Sequence, residues 1–329
     1  GGAGDNAAAA VGTGVVEDGK AFTTIGTSGV VFAHTSSISI DKQGRVHTCC
    51  AAVPNTWHVM GVTQSAGLSL KWFRDNFAWS EMETAASMGV DPYYLMDKEA
   101  DSVPIGANRL LYMPYLNGER TPHLDPNVRG AFVGLSTMHK KKDMLRAVME
   151  GVSYSLRDCV EVMREMNISI DDMMACGGGG TSPLWRQMLA DLYACNVKTT
   201  ANKEGPALGV ALLAAVGAGI YSSVPEACKA VIKPEKIQEP IAENSMVINE
   251  SGFTVDSDKV TVTASGYDSF VGCMLSINTG KPSSNGYSDS RTPLASQKYT
   301  GSGVYEFTLD PSKLKGGNTI QATLYRYDT

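Results

Sequence analysis

The string Gly177-Gly178-Gly179-Gly180-Thr181-Ser182-Pro183 constrains this chain more tightly than any other stretch. Glycine weakens helix and strand interiors alike, so four in succession force a loop. The loop has sharp borders. Residues 173–176 in front of it are apolar and strand-like, while Ser182 and Pro183 are a favoured N-cap and first helical residue for a helix over 182–194. A strand feeding a helix through glycine excludes an all-β or all-helical organisation for this part of the chain. It also leaves backbone N–H groups free at a helix start, where an anion such as a phosphate is favoured. A plain flexible turn is the other reading of the same string.

The flanking sequence agrees with an α/β domain. Residues 21–33 read as two strands joined at Gly26-Thr27-Ser28-Gly29, and residues 45–53 as a third, making a β-meander. Residues 68–77 read as a short helix and 110–115 as a buried strand. Over 143–166, Leu145, Val148, Met149, Val152, Leu156, Val160 and Met163 recur at three- and four-residue spacing, which predicts a long amphipathic helix with one apolar stripe. Residues 207–220, rich in Gly and Ala and apolar nearly all round, predict a buried helix. The composition changes near residue 245. Residues 233–245, with Pro234 and Pro240, have linker character. Residues 246–329 carry period-two runs at 253–255, 260–264, 271–277, 304–309 and 320–325, the pattern of a small all-β sandwich.

Charge and cysteine usage exclude several classes. The net charge is −6 and the only basic run is Lys140-Lys141-Lys142, so no nucleic-acid partner and no membrane surface is expected. The longest apolar stretch, 207–220, is interrupted by glycines and shorter than the roughly 20 residues that span a bilayer. No signal peptide is read at the start of the chain. The 7 cysteines are scattered without a CxxC pair, and the 5 histidines lack metal-ligand spacing, so no preformed metal site is expected. Scattered thiols fit a reducing compartment, and the expected location is cytoplasmic.

Three further strings carry candidate chemistry. Gly26-Thr27-Ser28-Gly29 reads as a second phosphate contact or simply a hairpin tip. In Gly4-Asp5-Asn6 the carboxylate reads as a general base that deprotonates an attacking hydroxyl, or as a turn or cap residue. The loop over 118–126, dense in ionisable groups, is expected to be structural, with Arg120 paired to a carboxylate.

Together, GGAGDNAAAAVGTGVV, AFTTIGTSGVVFA, YLNGERTPHLDPNVRGAFVGL, EGVSYSLRDCVEVM, CGGGGTSPLWRQMLADLYACNV and EGPALGVALLAAVGAGIYSSV, in this order, resemble the second domain of the FGGY carbohydrate kinases over residues 1–232. The resemblance implies an actin-like, ribonuclease-H-like ATPase domain that transfers the γ-phosphoryl group of ATP to a sugar hydroxyl, a pentulose being the expected acceptor, with Mg²⁺. It implies Asp5 as the catalytic base on the sugar and Asn6 as its substrate-side neighbour. Gly26 and Thr27 would meet the nucleotide phosphates, Gly67 and Lys71 make further nucleotide contacts, Gly178 and Ser182 lie beneath the adenosine half, and Gly177 and Gly179 of the same loop are nucleotide-binding as well. Nothing like the family's first domain precedes Gly1. Little sugar kinase activity is therefore expected of the isolated chain, unless another chain supplies that domain; association as a homodimer is a further expectation. Residues 246–329 resemble Ig-like or carbohydrate-binding modules, with Tyr267, Tyr287, Tyr299, Tyr305, Tyr325 and Tyr327 as sugar-stacking candidates. The alternative is a noncatalytic protein in which that module binds a glycan or a protein partner.

Overall fold

A computed structural model describes residues 2–202 and 205–241, and beyond them the backbone of six strands between residues 253 and 325. The chain divides into two compact units, Gly1–Pro240 and Ile241–Thr329. In chain order the first unit comprises α1 (Asp5–Thr13), β1 (Gly19–Ile25), β2 (Gly29–Thr35), β3 (His47–Cys50), β4 (Trp57–Thr63), α2 (Gly67–Phe77), α3 (Trp79–Met88), α4 (Pro92–Asp101), β5 (Leu111–Met113), β6 (Ala131–Val133) and α5 (Lys141–Glu165). It continues with β7 (Ile170–Cys176), α6 (Pro183–Tyr193), β8 (Asn196–Thr200), α7 (Gly205–Gly217), α8 (Val224–Val231) and β9 (Pro234–Gln238).

Seven strands form one mixed sheet in the order β3-β4-β2-β1-β7-β8-β9. β1, β7 and β8 are parallel, and the remaining neighbours are antiparallel. Both faces of the central strands are buried, as alternate side chains require when each face is covered. Ala21, Val31, Val59 and Met173 join the core beneath α5 and α6, while Phe22, Phe32 and Met174 join a second core with Ala10 of α1. The apolar stripe of α5 forms as the spacing predicts, with Leu145, Val148, Met149, Val152, Leu156, Val160 and Met163 all buried. On the opposite face, α1 crosses α7 through glycine. A Cβ on Gly12 would lie 1.7 Å from Gly205 O, and one on Gly209 would lie 1.8 Å from Ala8 O.

Several expectations need correction. Residues 234–238, expected as linker, form β9, and Pro234 is tolerated there because β9 is an edge strand. The first unit accordingly extends beyond residue 232. The stretch 110–115 is a short ribbon strand paired only with β6, and Leu111 and Met113 are exposed. The α7 helix is not buried all round: Gly205, Gly209, Leu212 and Leu213 are buried on the side that crosses α1, Leu208 and Val216 pack beside them, and Val210 is exposed. Residues 45–53 shrink to β3, and the strand beyond it, β4, has no counterpart among the expected strands.

In the second unit, β10 (Phe253–Asp256), β11 (Lys259–Ala264), β12 (Gly272–Asn278), β13 (Arg291–Gln297), β14 (Gly303–Thr308) and β15 (Thr319–Tyr325) form two three-stranded antiparallel sheets, β10-β11-β14 and β13-β12-β15. β13 was not expected, since Pro293 interrupts its pattern; it occupies a sheet edge, where proline is tolerated. The side chains of the tyrosines considered for sugar stacking lie outside the described residues.

Two outcomes follow from this packing. Gly209→Ala should lower stability by about 1–3 kcal/mol or more through overpacking, while Gly178→Ala, whose Cβ meets nothing within 4 Å, should be near neutral; urea unfolding checks both. The second concerns His34 and His58, buried cross-strand partners on β2 and β4. Burial pulls the His58 imidazole down to about 4, against a backbone contact from Cys50, and the charge of His34 lowers it further. The unfolded chain therefore binds a proton near pH 6.5 that the folded chain refuses. Stability is complete above pH 6.5 and falls as pH drops toward 4, by up to about 1.4 kcal/mol per pH unit for this group. Urea midpoints between pH 7 and 4.5 should show the fall, and His58→Phe should make it shallower.

Candidate functional site

A cavity of about 550 Å³ opens where β1, β7 and the turn after β4 end. Its walls come from the β1–β2 hairpin, the start of α2, the exposed turn of α4 and the glycine loop before α6. These segments meet backbone to backbone. Gly67 N–H donates to Gly26 O at 2.8 Å, and Leu68 N–H to Thr27 O at 3.1 Å. A Cβ on Gly67 would lie 2.4 Å from Gly26 O, so only glycine permits this approach. Gly177 has φ +76°, and a Cβ there would lie 2.9 Å from Ile25 O. A Cβ on Gly179 would likewise lie 2.5 Å from Ile25 Cγ2, whereas one on Gly178 would meet nothing within 4 Å.

The glycine loop is a short 3₁₀ turn. Gly180, Thr181 and Ser182 donate their N–H groups to Gly177, Gly178 and Gly179, each at 3.2 Å. The N–H groups of Gly178 and Gly179 take no part in those bonds and stand at the cavity wall. Ser182 caps α6 as predicted, its hydroxyl accepting from Trp185 N–H at 3.0 Å, with Pro183 next in the helix. On the opposite wall, Thr27 is exposed, and its N–H and hydroxyl have no partner among the described residues. Lys71 lines the cavity with its ammonium paired to Asp75 one turn further along α2.

Two buried charges hold these loops from behind. Arg186, 2% exposed, donates Nη1–H to Gly180 O at 2.8 Å and Thr181 O at 2.9 Å, and Nε–H to Gln238 Oε1 of β9 at 2.7 Å. Burial works against its charge, and the carboxylates of Glu235 and Asp97 favour it. Glu119, 3% exposed, accepts from Thr63 Oγ1–H at 2.6 Å and from the N–H groups of Gln64 at 2.8 Å and Arg120 at 2.7 Å. It thereby fixes the turn that leads into Gly67. This corrects the expected role of Arg120: the anchor of the 118–126 loop is Glu119, and the Arg120 side chain is exposed.

The structure thus brings Gly26, Thr27, Gly67, Lys71, Gly178, Gly179 and Ser182 around one cavity. Gly177 stands behind the wall as the hinge of the loop. Asp5 and Asn6 do not line the cavity; they begin α1, with Asp5 exposed and Asn6 half-buried. Sequence reasoning missed the α4 wall, which adds Asp91, Tyr93, Tyr94 and Asp97. Its only local signal is the Asp91-Pro92 helix start, where Asp91 accepts from Tyr93 N–H at 2.9 Å. Among the described residues no three His, Cys, Asp or Glu side chains are grouped to hold a metal ion. No helix among them is long and apolar enough to cross a membrane.

The order β4-β2-β1-β7-β8 with helices on both faces is that of an actin-like, ribonuclease-H-like α/β domain. The chain belongs to the FGGY family of carbohydrate kinases, whose C-terminal domain matches residues 21–218. It is 39% identical over 243 residues to the xylulose kinase of Bacillus subtilis (strain 168), covering 74% of this chain and 47% of that protein. It is 38% identical over 223 residues to the gluconokinase of Bacillus licheniformis, covering 68% of this chain and 42% of that protein. Among solved structures, a xyloylose kinase from Brucella ovis matches with TM-score 0.63 and 32% identity over 73% of this chain and 47% of that one. The xylulose kinase from Rhodospirillum rubrum matches with TM-score 0.66 and 27% identity over 74% and 47%. The chain spans about half the length of the curated relatives it matches.

The Arg186 clamp generates a direct expectation. Arg186→Met leaves the Gly180 and Thr181 carbonyls and Gln238 without their buried donor, so it should lower stability by at least about 2 kcal/mol in urea unfolding.

Proposed function

We propose that the first unit is the nucleotide-binding half of a sugar kinase of the xylulose kinase type, which moves the γ-phosphoryl group of ATP onto a pentulose hydroxyl, D-xylulose giving D-xylulose 5-phosphate. The observation that carries this reading is the cavity itself, with the free amides of Thr27, Gly178 and Gly179 on its facing walls. Such amides at a helix start suit phosphate oxygens, which need several donors and no buried countercharge. In this reading Gly26 and Thr27 meet the phosphates, Gly67 and Lys71 the middle of the nucleotide, and the glycine loop runs along it, with the Gly178 and Gly179 amides on the phosphates and Ser182 toward the adenosine side. Mg²⁺, when bound with the nucleotide, would supply charge neutralisation at the transferring group.

Asp5 is assigned the role of general base on the sugar hydroxyl, with Asn6 beside the sugar. A carboxylate at the first turn of α1 is favoured there by the helix dipole and is open to an incoming acceptor. In-line transfer, however, requires donor and acceptor within about 3–3.5 Å of each other. The described residues build the nucleotide wall and leave Asp5 exposed outside it. This polypeptide alone is therefore expected to bind nucleotide without turning over sugar, the acceptor being held by a partnering domain or chain. The free cysteines among the described residues are in keeping with a reducing cytoplasm, where ATP is abundant.

Calorimetric titration with MgADP tests the reading. The native chain should bind, and Gly178→Glu should weaken binding at least about a hundredfold, because its carboxylate would face the phosphates. The substitution leaves the fold intact, since a Cβ at Gly178 meets nothing within 4 Å. No uptake by the native chain overturns the reading. Steady D-xylulose phosphorylation by this polypeptide alone, followed by ADP release, would overturn the assignment of an incomplete cleft.

A further inference from the structure

The cavity contains one carboxylate that neither the sequence motifs nor the phosphate-binding assignment uses. Asp97, on α4, lines the same space as Gly26, Thr27, Gly178 and Ser182. It is half-buried, and no ion pair engages it among the described residues. Its neighbour Asp91 is already engaged as the N-cap of α4. Burial pushes the Asp97 carboxyl above the ordinary carboxylate range, against a hydrogen bond from the Ser182 hydroxyl that favours its charged form. Ser182 is itself occupied as the N-cap of α6, accepting from Trp185 N–H. Asp97 accepts from that hydroxyl and, as a carboxylate, keeps further acceptor sites for a donor on a ligand in the cavity.

Electrostatics fixes which end of a nucleotide lies beside it. A phosphate next to a carboxylate is repelled, so the phosphates must lie toward the amides of Thr27, Gly178 and Gly179. The neutral nucleoside is left to face α4, beside Tyr93, which also lines the cavity. A carboxylate has acceptor sites only, so it bonds to a donor and rejects a group that lacks one. Burial of the wall strengthens that discrimination, because a desolvated acceptor left without its partner is costly.

We propose that Asp97 is the specificity-determining acceptor for the nucleoside, taking a hydrogen bond from a donor on the ribose or the base. The inference rests on the nucleotide-binding reading of the cavity and adds to it a residue and a rule of selection. It predicts that ligands are ranked by a donor on the nucleoside, and that this ranking disappears when Asp97 is removed.

Calorimetry on the full chain with MgADP, Mg-2′-deoxy-ADP and MgIDP provides the test, using Asp97→Ala and the nearly isosteric Asp97→Asn. Asp97→Ala should weaken MgADP about ten- to a hundredfold. The native chain should prefer MgADP over one of the two analogues, and in Asp97→Ala that preference should collapse. Collapse toward 2′-deoxy-ADP identifies the ribose hydroxyl, and collapse toward IDP the base amine. Should Asp97→Ala fail to fold, shown by loss of its cooperative melting transition, the same comparison is read from Asp97→Asn with a smaller loss. A folded variant that binds MgADP within twofold of the native chain, or keeps the native preference, overturns the inference alone. A native chain that takes up no MgADP overturns the nucleotide reading and this inference with it.

Discussion

Everything at the site depends on three backbone segments touching with no side chain between them. Gly67 N–H reaches Gly26 O at 2.8 Å, and Gly177 turns against Ile25 with positive φ. The end of β1 is common to both contacts. A single Cβ at Gly67 or Gly177 would push α2 or the glycine loop off the hairpin and open the cavity on that side. The same strategy recurs on the far face of the sheet, where Gly12 and Gly209 let α1 and α7 cross at backbone distance. Close approach fixes the geometry without rigid side chains, and it leaves peptide N–H groups as the chemistry presented to the cavity.

Bare backbone does not hold a loop in place by itself, and two buried charges do that work. Glu119 gathers donors from Thr63, Gln64 and Arg120 beneath the turn into α2, and Ser155 of α5 donates to Thr63 Oγ1 at 2.8 Å, tying the cluster to the long helix. Arg186 holds two carbonyls of the glycine loop and reaches Gln238 on the edge strand. Burying either charge is unfavourable unless its hydrogen bonds are supplied, and here they are, which makes each loop conformation the one that satisfies a charge. The edge strand β9 thereby matters to the loop some fifty residues before it, although its sequence has linker composition.

How much of this was legible follows from what each pattern encodes. The glycine loop, the Ser182-Pro183 helix start and the stripe of α5 are local signals, set by backbone sterics and period, and they are present where the sequence places them. The strand β4 was not, because His58 and Gly61 break its apolar reading; Gly61 is there since a Cβ would lie 2.7 Å from Cys159 of α5, a contact no local pattern encodes. The α7 helix looked buried all round because composition reports hydrophobicity but not how closely the neighbouring helix approaches. At the site, the glycines and Thr27 were legible as motifs. Asp97, Tyr93 and Arg186 were not: a half-exposed helix turn carries no signature until the fold brings it to the cavity, nor does a buried arginine until the fold sets it behind the glycine loop.

Amide hydrogen exchange of the full chain, with and without MgADP, tests the account most directly, because it reads the backbone groups on which the site is built. Slower exchange at residues 26–28 and 177–180, with residues 12–20 at the far end of α1 unchanged, is the predicted result. Binding that leaves those loops unprotected, or that protects a different face of the unit, would contradict it.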